Sequence, residues 1–509
     1  MMPLTISLTS STFDARFFAQ KSSLTCFHMI MATTRACILT LLLRNDNAFN
    51  VTNISVFSTM KVIIIGAGAV GYVAAETISN MHDVLVIEND SDIADMVKNR
   101  LNVSVLHEDG TNPKTINYAV ETHGADVLIS TLKRDDSNLF ICMMAKRIRP
   151  EIVTVASITN PDFMIATTKD GVTGVDVIIS PELITADKMY RICTLENAVD
   201  FEVMPIFNSS MAVFEVSQDS NMVGKIVQDT FSLNDATVFA IYRGDDLFFQ
   251  VDTMEIHAGD RICVMGTYEA ISGYNASLGV EISAKDIVIL GGTIVGQHLA
   301  SLLAADDKQR YVRIIDKDNE RCKDLSRSLS GVLVINGDFT DPEIQSSENL
   351  FRSDCLVSVT NQDDTNLLMC MSAQKYNTNK IVSRYLKKEY QDIFTFTGLA
   401  TIVGFDKIVS NEIAKCVISG DKVVMRMRNS DEQFFIHDVD SHSKLLDRYY
   451  GDLILPNGVR VVAIKRNDDV LYPAMDTEFM EGDRLLVFTN FTKEKDLAKV
   501  FGRNIVSES

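Results

Sequence analysis

Lys61-Val-Ile-Ile-Ile-Gly66-Ala-Gly68-Ala-Val-Gly71 joins a short apolar run to a glycine-rich turn, and a second apolar run, Val84-Leu-Val-Ile-Glu88, closes on a carboxylate. A strand, a G-x-G-x-x-G turn, a helix and an acid about 20 residues on form the fingerprint of a dinucleotide-binding βαβ unit. Each position has a physical role in that reading. Gly66 permits the tight turn, and Gly68, lacking a Cβ, lets the backbone approach a pyrophosphate. Gly71 lets the helix pack against its strand, and the helix start offers free N–H groups and a positive dipole end to phosphates. Glu88 is placed to accept hydrogen bonds from ribose hydroxyls. Its charge repels the extra phosphate of NADP, so NAD(H) is favoured, although ATP or ADP presents the same ribose and phosphates.

Moving outward, the pattern recurs. Ile287-Val-Ile-Leu-Gly291-Gly-Thr293-Ile-Val-Gly296 repeats the run and turn, and Val312-Arg-Ile-Ile-Asp316 repeats the run that ends in an acid. Glu108-Asp109-Gly-Thr-Asn-Pro113 matches Gly337-Asp338-Phe-Thr-Asp-Pro342, and Asp135-Asp136-Ser-Asn138 with Cys142 matches Asp363-Asp364-Thr-Asn366 with Cys370. Matched positions keep one order at a spacing of about 225 to 230 residues, which marks a tandem duplication. Each copy begins with alternating β and helical stretches, as in a Rossmann-type doubly wound parallel sheet. Each then turns to short strands, over 201–267 and 434–489, and closes on Gly259-Asp260-Arg261 or Gly482-Asp483-Arg484. The order is large α/β, small α+β, large α/β, small α+β. Residues 272–285, polar and without a clear period, read as a linker.

The two glycine loops are not equal. Thr293 takes the middle glycine position of the second, where its branched Cβ crowds a pyrophosphate. Gly291 and Gly296 keep the turn and the packing, Asp316 the ribose acid and Asp338 its companion. This copy either binds nucleotide or serves as a structural core that responds to its neighbour. In the first copy, Asp109 either touches the adenosine or caps the next helix. Lys133 and Arg134 either neutralise phosphate or remain solvated, and Cys142 reads as core.

The chain has 509 residues, 46% of them hydrophobic, enough for several cores. Its 68 acidic and 48 basic residues leave a net charge of −20, which argues against a nucleic-acid surface. Nine cysteines without a C-x-x-C pair suggest reduced, mostly buried thiols, with no zinc site or disulfide framework. The leader, residues 1–59, is rich in Ser, Thr and Phe and is expected to lie outside the fold. Its most apolar stretch, 29–43, is interrupted by Arg35 and is shorter than the ~18 residues that span a bilayer. The eight scattered histidines form no H-x-E or H-E-x-x-H motif, and neither G-x-S-x-G nor a Walker loop is present. Cofactor binding without visible chemistry favours sensing over turnover, with an NAD-dependent oxidoreductase as the rival.

Together the two glycine loops, the Asp-Gly-Thr-Asn-Pro and Asp-Asp-Ser-Asn motifs with their second copies, and the Gly-Asp-Arg closures resemble the TrkA family, regulatory subunits of Trk-type potassium uptake systems. The pair Ile179-Ser-Pro-Glu182 and Val409-Ser-Asn-Glu412 adds to the likeness. The resemblance implies two RCK units in tandem: RCK-N over 60–197 and 285–417, RCK-C over 198–277 and 420–506. It implies a non-enzymatic protein on the inner face of the cell membrane, paired through its Rossmann faces and self-associated as a dimer or tetramer ring beneath a TrkH-like potassium-translocating subunit. NAD(H), or else ATP or ADP, would change the ring's shape at the glycine loops and so gate ion flow. The ligand residues carried over are Gly66, Gly68, Val70, Gly71, Glu88 and Asp109, with Gly291, Gly296, Asp316 and Asp338 in the second copy. A gating module of another potassium channel or transporter remains an alternative. Gly68→Asp or Glu88→Ala is expected to abolish the nucleotide response without unfolding the chain.

Overall fold

The structure, a computed structural model, describes residues 59–161, 163, 174–230, 235–279, 284–306, 309–399, 401–417, 423–427, 432–490 and 501. The leader thus lies outside the described residues, apart from residue 59.

The β-branched run after Met60 forms β1 (Lys61–Ile65), the centre of a six-stranded parallel sheet. Its partners are β2 (Asp83–Glu88), β3 (Ser104–His107), β4 (Val127–Ser130), β5 (Val153–Ser157) and β6 (Val177–Ile179), in the order β3-β2-β1-β4-β5-β6. Val62, Ile63, Ile64 and Ile65 are all fully buried, as expected for a strand covered on both faces by helices. The chain reverses direction across the sheet between β1 and β4, the switch point where ligands settle in open α/β sheets. An antiparallel sheet follows, built from β7 (Ala198–Met204), β8 (Ser209–Glu215), β9 (Ala236–Arg243), β10 (Asp246–Phe248) and β11 (Arg261–Gly266).

The second copy repeats this plan strand for strand. Strands β12 (Asp286–Leu290), β13 (Tyr311–Asp316), β14 (Val332–Asn336), β15 (Cys355–Ser358), β16 (Lys380–Tyr385) and β17 (Thr401–Gly404) form a parallel sheet in the order β14-β13-β12-β15-β16-β17. Strands β18 (Val423–Arg426), β19 (Gln433–Asp438), β20 (Val459–Arg466), β21 (Asp469–Leu471) and β22 (Arg484–Thr489) form the second antiparallel sheet.

The two copies pack as an internal pair, and each lends its last Rossmann helix to the other. Helix Pro181–Thr194 leaves the first sheet and places Met189, Ile192 and Cys193 in one core with Val295, Leu299 and Val357 of the second copy. Helix Phe405–Val417 returns the arrangement, with Val409, Ile413 and Val417 in the core beside Ala74, Ala75 and Ile78. The small sheets meet face to face over Phe239, Phe249, Phe434 and Phe488. There the Phe249 and Phe488 rings stack at 5.2 Å, and Phe239 meets Phe434 edge-on at 5.5 Å.

Two readings from the sequence need correction. The stretch taken as a linker begins inside a helix, Tyr268–Ser277, which Thr267 caps by accepting from Ala270 N and which buries Ile271 and Tyr274. Its apolar residues fall one helical turn apart, so the polar residues between them face outward and hide the period. The pairing of Glu182 with Glu412 also fails. Ile179 sits beside Ser157 and Val403 beside Arg384 at matching places in the two sheets, which makes Asp406 the counterpart of Glu182. Glu412 lies in the middle of its helix and pairs with Lys415 at 2.6 Å.

Candidate functional site

The first glycine loop leaves β1 at the switch point. Gly66 has φ +89°, the left-handed region that favours glycine, and its N–H donates to Ile87 O at 2.9 Å. Gly71 is required by the loop itself: a Cβ there would overlap Gly66 O and stand 2.6 Å from Thr131 Oγ1. This extends the sequence reading, in which Gly71 served only helix–strand packing. Thr131 locks the same spot, donating its hydroxyl to Gly66 O at 2.8 Å.

Gly68 differs from both. Its φ of −64° suits any residue, and a Cβ added there would meet nothing within 4 Å. The fold does not need a glycine at this position; space outside the fold does. Gly68 is also the N-cap of helix Ala69–Ile78, and no side chain caps that helix. Gly68 and Ala69 are exposed, Val70 is half-buried and Gly71 buried, and no capping side chain accepts from the first-turn N–H groups.

Glu88 closes β2 beneath this loop and is buried. Its Oε2 accepts from Ala67 N at 2.6 Å, and its Oε1 accepts from Asn89 N at 2.8 Å and Asp90 N at 2.9 Å. A carboxylate accepts about four hydrogen bonds, so three are committed to the protein and one position remains. Removing the side chain would strip partners from three backbone donors. Glu88→Ala is therefore expected to cost stability as well as the nucleotide response.

Asp109 is exposed and does not cap the next helix, whose N-cap is Asn112. It accepts instead from Thr111 N at 2.9 Å and Thr111 Oγ1 at 2.7 Å, and these bonds hold its pKa below the usual carboxylate value. Arg134 is engaged by Asp136 on the surface. Asn138 is a structural residue: fully buried, it accepts from Ser130 Oγ and Leu132 N and donates to Leu132 O and Ser157 O. Cys142 is buried core, and burial pushes its thiol pKa up.

The second loop keeps the turn and closes the cradle. Gly291 has φ +107°, and a Cβ on Gly296 would overlap Gly291 O, as at the first loop. Thr293 donates its hydroxyl to Val359 O at 2.9 Å and accepts from Gly296 N at 3.3 Å, capping helix Ile294–Ala304. It thus consumes an N–H that the first loop leaves open, an effect beyond the crowding expected from its Cβ. Asp316 repeats the role of Glu88, accepting from Gly292 N at 2.7 Å and Asp318 N at 2.9 Å, but Arg321 also pairs with it at 2.9 Å. Asp338 accepts from Thr340 N and Oγ1, as Asp109 does from Thr111.

A cavity of about 480 Å³ lies at this second loop, lined in part by Thr293, Arg321, Asn361 and Arg384, with Glu182 reaching in from the first copy. Arg384 is buried, donates to Thr360 O and Asn361 Oδ1, and is pushed down to about 10 by desolvation. Burial raises the Glu182 carboxyl. This half-open cavity is at the second loop, whereas the uncapped helix start is at the first. For phosphate recognition the uncapped start carries more weight, because free N–H donors make the contact. Sequence reasoning assigned no site role to Arg321, Arg384 or Glu182, since their convergence depends on the exchanged helix and on strand register.

The TrkA-N domain model matches residues 62–181 and 287–411, and the TrkA-C domain model matches 211–279 and 434–502. The chain belongs to the TrkA family. Among relatives, it is 29% identical to the Trk system potassium uptake protein TrkA homolog 2 of Methanosarcina mazei, over 87% of this chain and 100% of that protein. It is 25% identical to the Trk system potassium uptake protein TrkA of Vibrio alginolyticus, over 84% of this chain and 95% of that protein. Among solved structures, the GsuK RCK domain superposes with a TM-score of 0.58 at 16% identity, covering 88% of this chain and 95% of that one, a likeness of fold. A GsuK channel bound to NAD superposes at 0.57, with 16% identity over 88% of this chain and 80% of that one. Both of these relatives are Trk system potassium uptake proteins. No helix among the described residues is long and apolar enough to cross a membrane.

Proposed function

We propose that this TrkA-family protein is a nucleotide-sensing regulatory subunit. In this reading it binds NAD(H), or ATP or ADP, at the first glycine loop and gates a TrkH-like potassium-translocating subunit from the inner face of the membrane. The observation that carries it is Gly68, a glycine its own fold does not require, beside an uncapped helix start. A diphosphate seated there accepts from first-turn N–H groups near Gly68, Val70 and Gly71. The remaining acceptor position of Glu88 takes a ribose hydroxyl, and Asp109 stands at the adenosine end of the same sheet edge. At the second copy Gly291, Gly296, Asp316 and Asp338 keep the frame, while Thr293 and Arg321 occupy part of its binding capacity, so the first loop is the principal sensor.

Gating requires that nucleotide prefer one conformation of a self-associated ring. A tenfold preference is worth about 1.4 kcal/mol, enough to bias a balanced equilibrium. The test is potassium flux into vesicles holding a TrkH-like subunit, with and without this protein and NADH. Flux that changes with NADH only when the protein is present supports the proposal; flux indifferent to both rejects it.

A further inference from the structure

Two thiols from different copies meet deep in the molecule. Cys193, in the last turn of helix Pro181–Thr194, has its Sγ 3.8 Å from the Sγ of Cys355, the first residue of β15. Among the described cysteines, this is the one pair of sulfurs within hydrogen-bonding distance. A cation stands next to the pair: Lys380 is the register partner of Cys355, and its Nζ donates to Leu195 O at 2.7 Å and Glu196 O at 3.0 Å, just past Cys193.

We propose that Cys193 and Cys355 are an oxidation site, closing into a disulfide on reaction with a hydroperoxide and fastening the exchanged helix of the first copy to the sheet of the second. The helix is the relevant lever, because its first turn carries Glu182 into the cavity at the second glycine loop.

The chemistry balances with hydrogen peroxide as the oxidant. The Cys193 thiolate attacks one peroxide oxygen, so an S–O bond forms, the O–O bond breaks and hydroxide leaves. Cys355 then attacks the sulfenic sulfur, forming S–S, breaking S–O and releasing water. Two thiols lose two electrons, and the peroxide becomes two waters. Cys193 is the attacking group, since its contact with the Cys355 sulfur and the nearby Lys380 and Arg310 charges lower its pKa and favour its thiolate. The same contact raises Cys355. The isolated thiols Cys142 and Cys370 are pushed up by burial, which keeps them inert.

Both sulfurs are shielded, so the rate is set by local opening between helix and sheet. Once formed, the bond links residues 162 apart in sequence and restricts the unfolded chain. Pairs of this kind in reducing compartments are transient sensors more often than permanent staples.

The test uses full-length, fully reduced protein treated with excess hydrogen peroxide, then alkylated under denaturing conditions and mapped without reduction. The expected result is a Cys193–Cys355 linked peptide as the main disulfide, reversed by dithiothreitol, with a higher urea midpoint for the oxidised protein. Cys355→Ala, or Cys193→Ser if the first fails to fold, removes both the peptide and the shift. The proposal is overturned if both cysteines are recovered alkylated while the half-buried Cys416 oxidises. It is equally overturned if they end as sulfinic acids without a cross-link.

Discussion

At the residue scale, the three glycines of the first loop should answer substitution differently. Gly71→Ala forces a methyl into Gly66 O, a backbone atom that cannot move aside, and is expected to cost about 2–3 kcal/mol in urea unfolding. Gly68→Asp adds a side chain to open space and supplies an N-cap, so stability should stay within about 0.5 kcal/mol while NADH binding is lost. Glu88→Ala should fail on both counts, because three backbone N–H groups lose their acceptor, at about 1–3 kcal/mol for each one left buried. The sequence made the glycine spacing and the acid plain, since both are local. It did not separate the glycine kept for the fold from the glycine kept for a ligand. That difference lies in what stands opposite each Cα: Gly66 O and Thr131 for one, open space for the other.

At the element scale, the contrast between helices Ala69–Ile78 and Ile294–Ala304 is one hydroxyl. Thr293→Gly removes the cap, frees Gly296 N–H, and is expected to cost a few tenths of a kcal/mol while adding a second, weaker NADH-binding step in calorimetry. An unchanged isotherm would assign the closure to Arg321 and Asp316 instead. Helix Ile294–Ala304 also carries His298, whose pKa desolvation holds below its ordinary 6.5. Below that pH the unfolded chain takes a proton before the folded one does. Stability should therefore fall from about pH 6.5 downward through the folded value, and His298→Gln should flatten the urea midpoint between pH 7 and 5. Strands were legible as apolar runs. The helix at Tyr268–Ser277 was not, because Ser272 and Gly273 separate its buried positions and one of those, Asn275, is polar. The false match of Glu182 with Glu412 arose because Val-Ser-Asn-Glu resembles Ile-Ser-Pro-Glu, whereas register obeys strand pairing and not letters.

At the scale of the whole molecule, the duplication was readable because matched motifs keep their order. The exchange of helices was not, since an apolar helix face does not state which sheet it covers. The exchange and the shared Phe core bind both copies into one unfolding unit. Phe488→Ala should cost about 3–5 kcal/mol and lower a single cooperative transition, as seen by denaturation followed at both far-ultraviolet and tyrosine signals. Such rigidity gives a ligand at one loop something to act upon, because a packed pair shifts between discrete arrangements rather than bending locally. The central claim is that the space around Gly68 holds a nucleotide diphosphate, and calorimetric titration of NADH into wild-type and Gly68→Asp protein of equal melting temperature tests it most directly. Saturable heat with the wild type and none with the variant is predicted; no heat with either, or the same heat with both, would contradict the account.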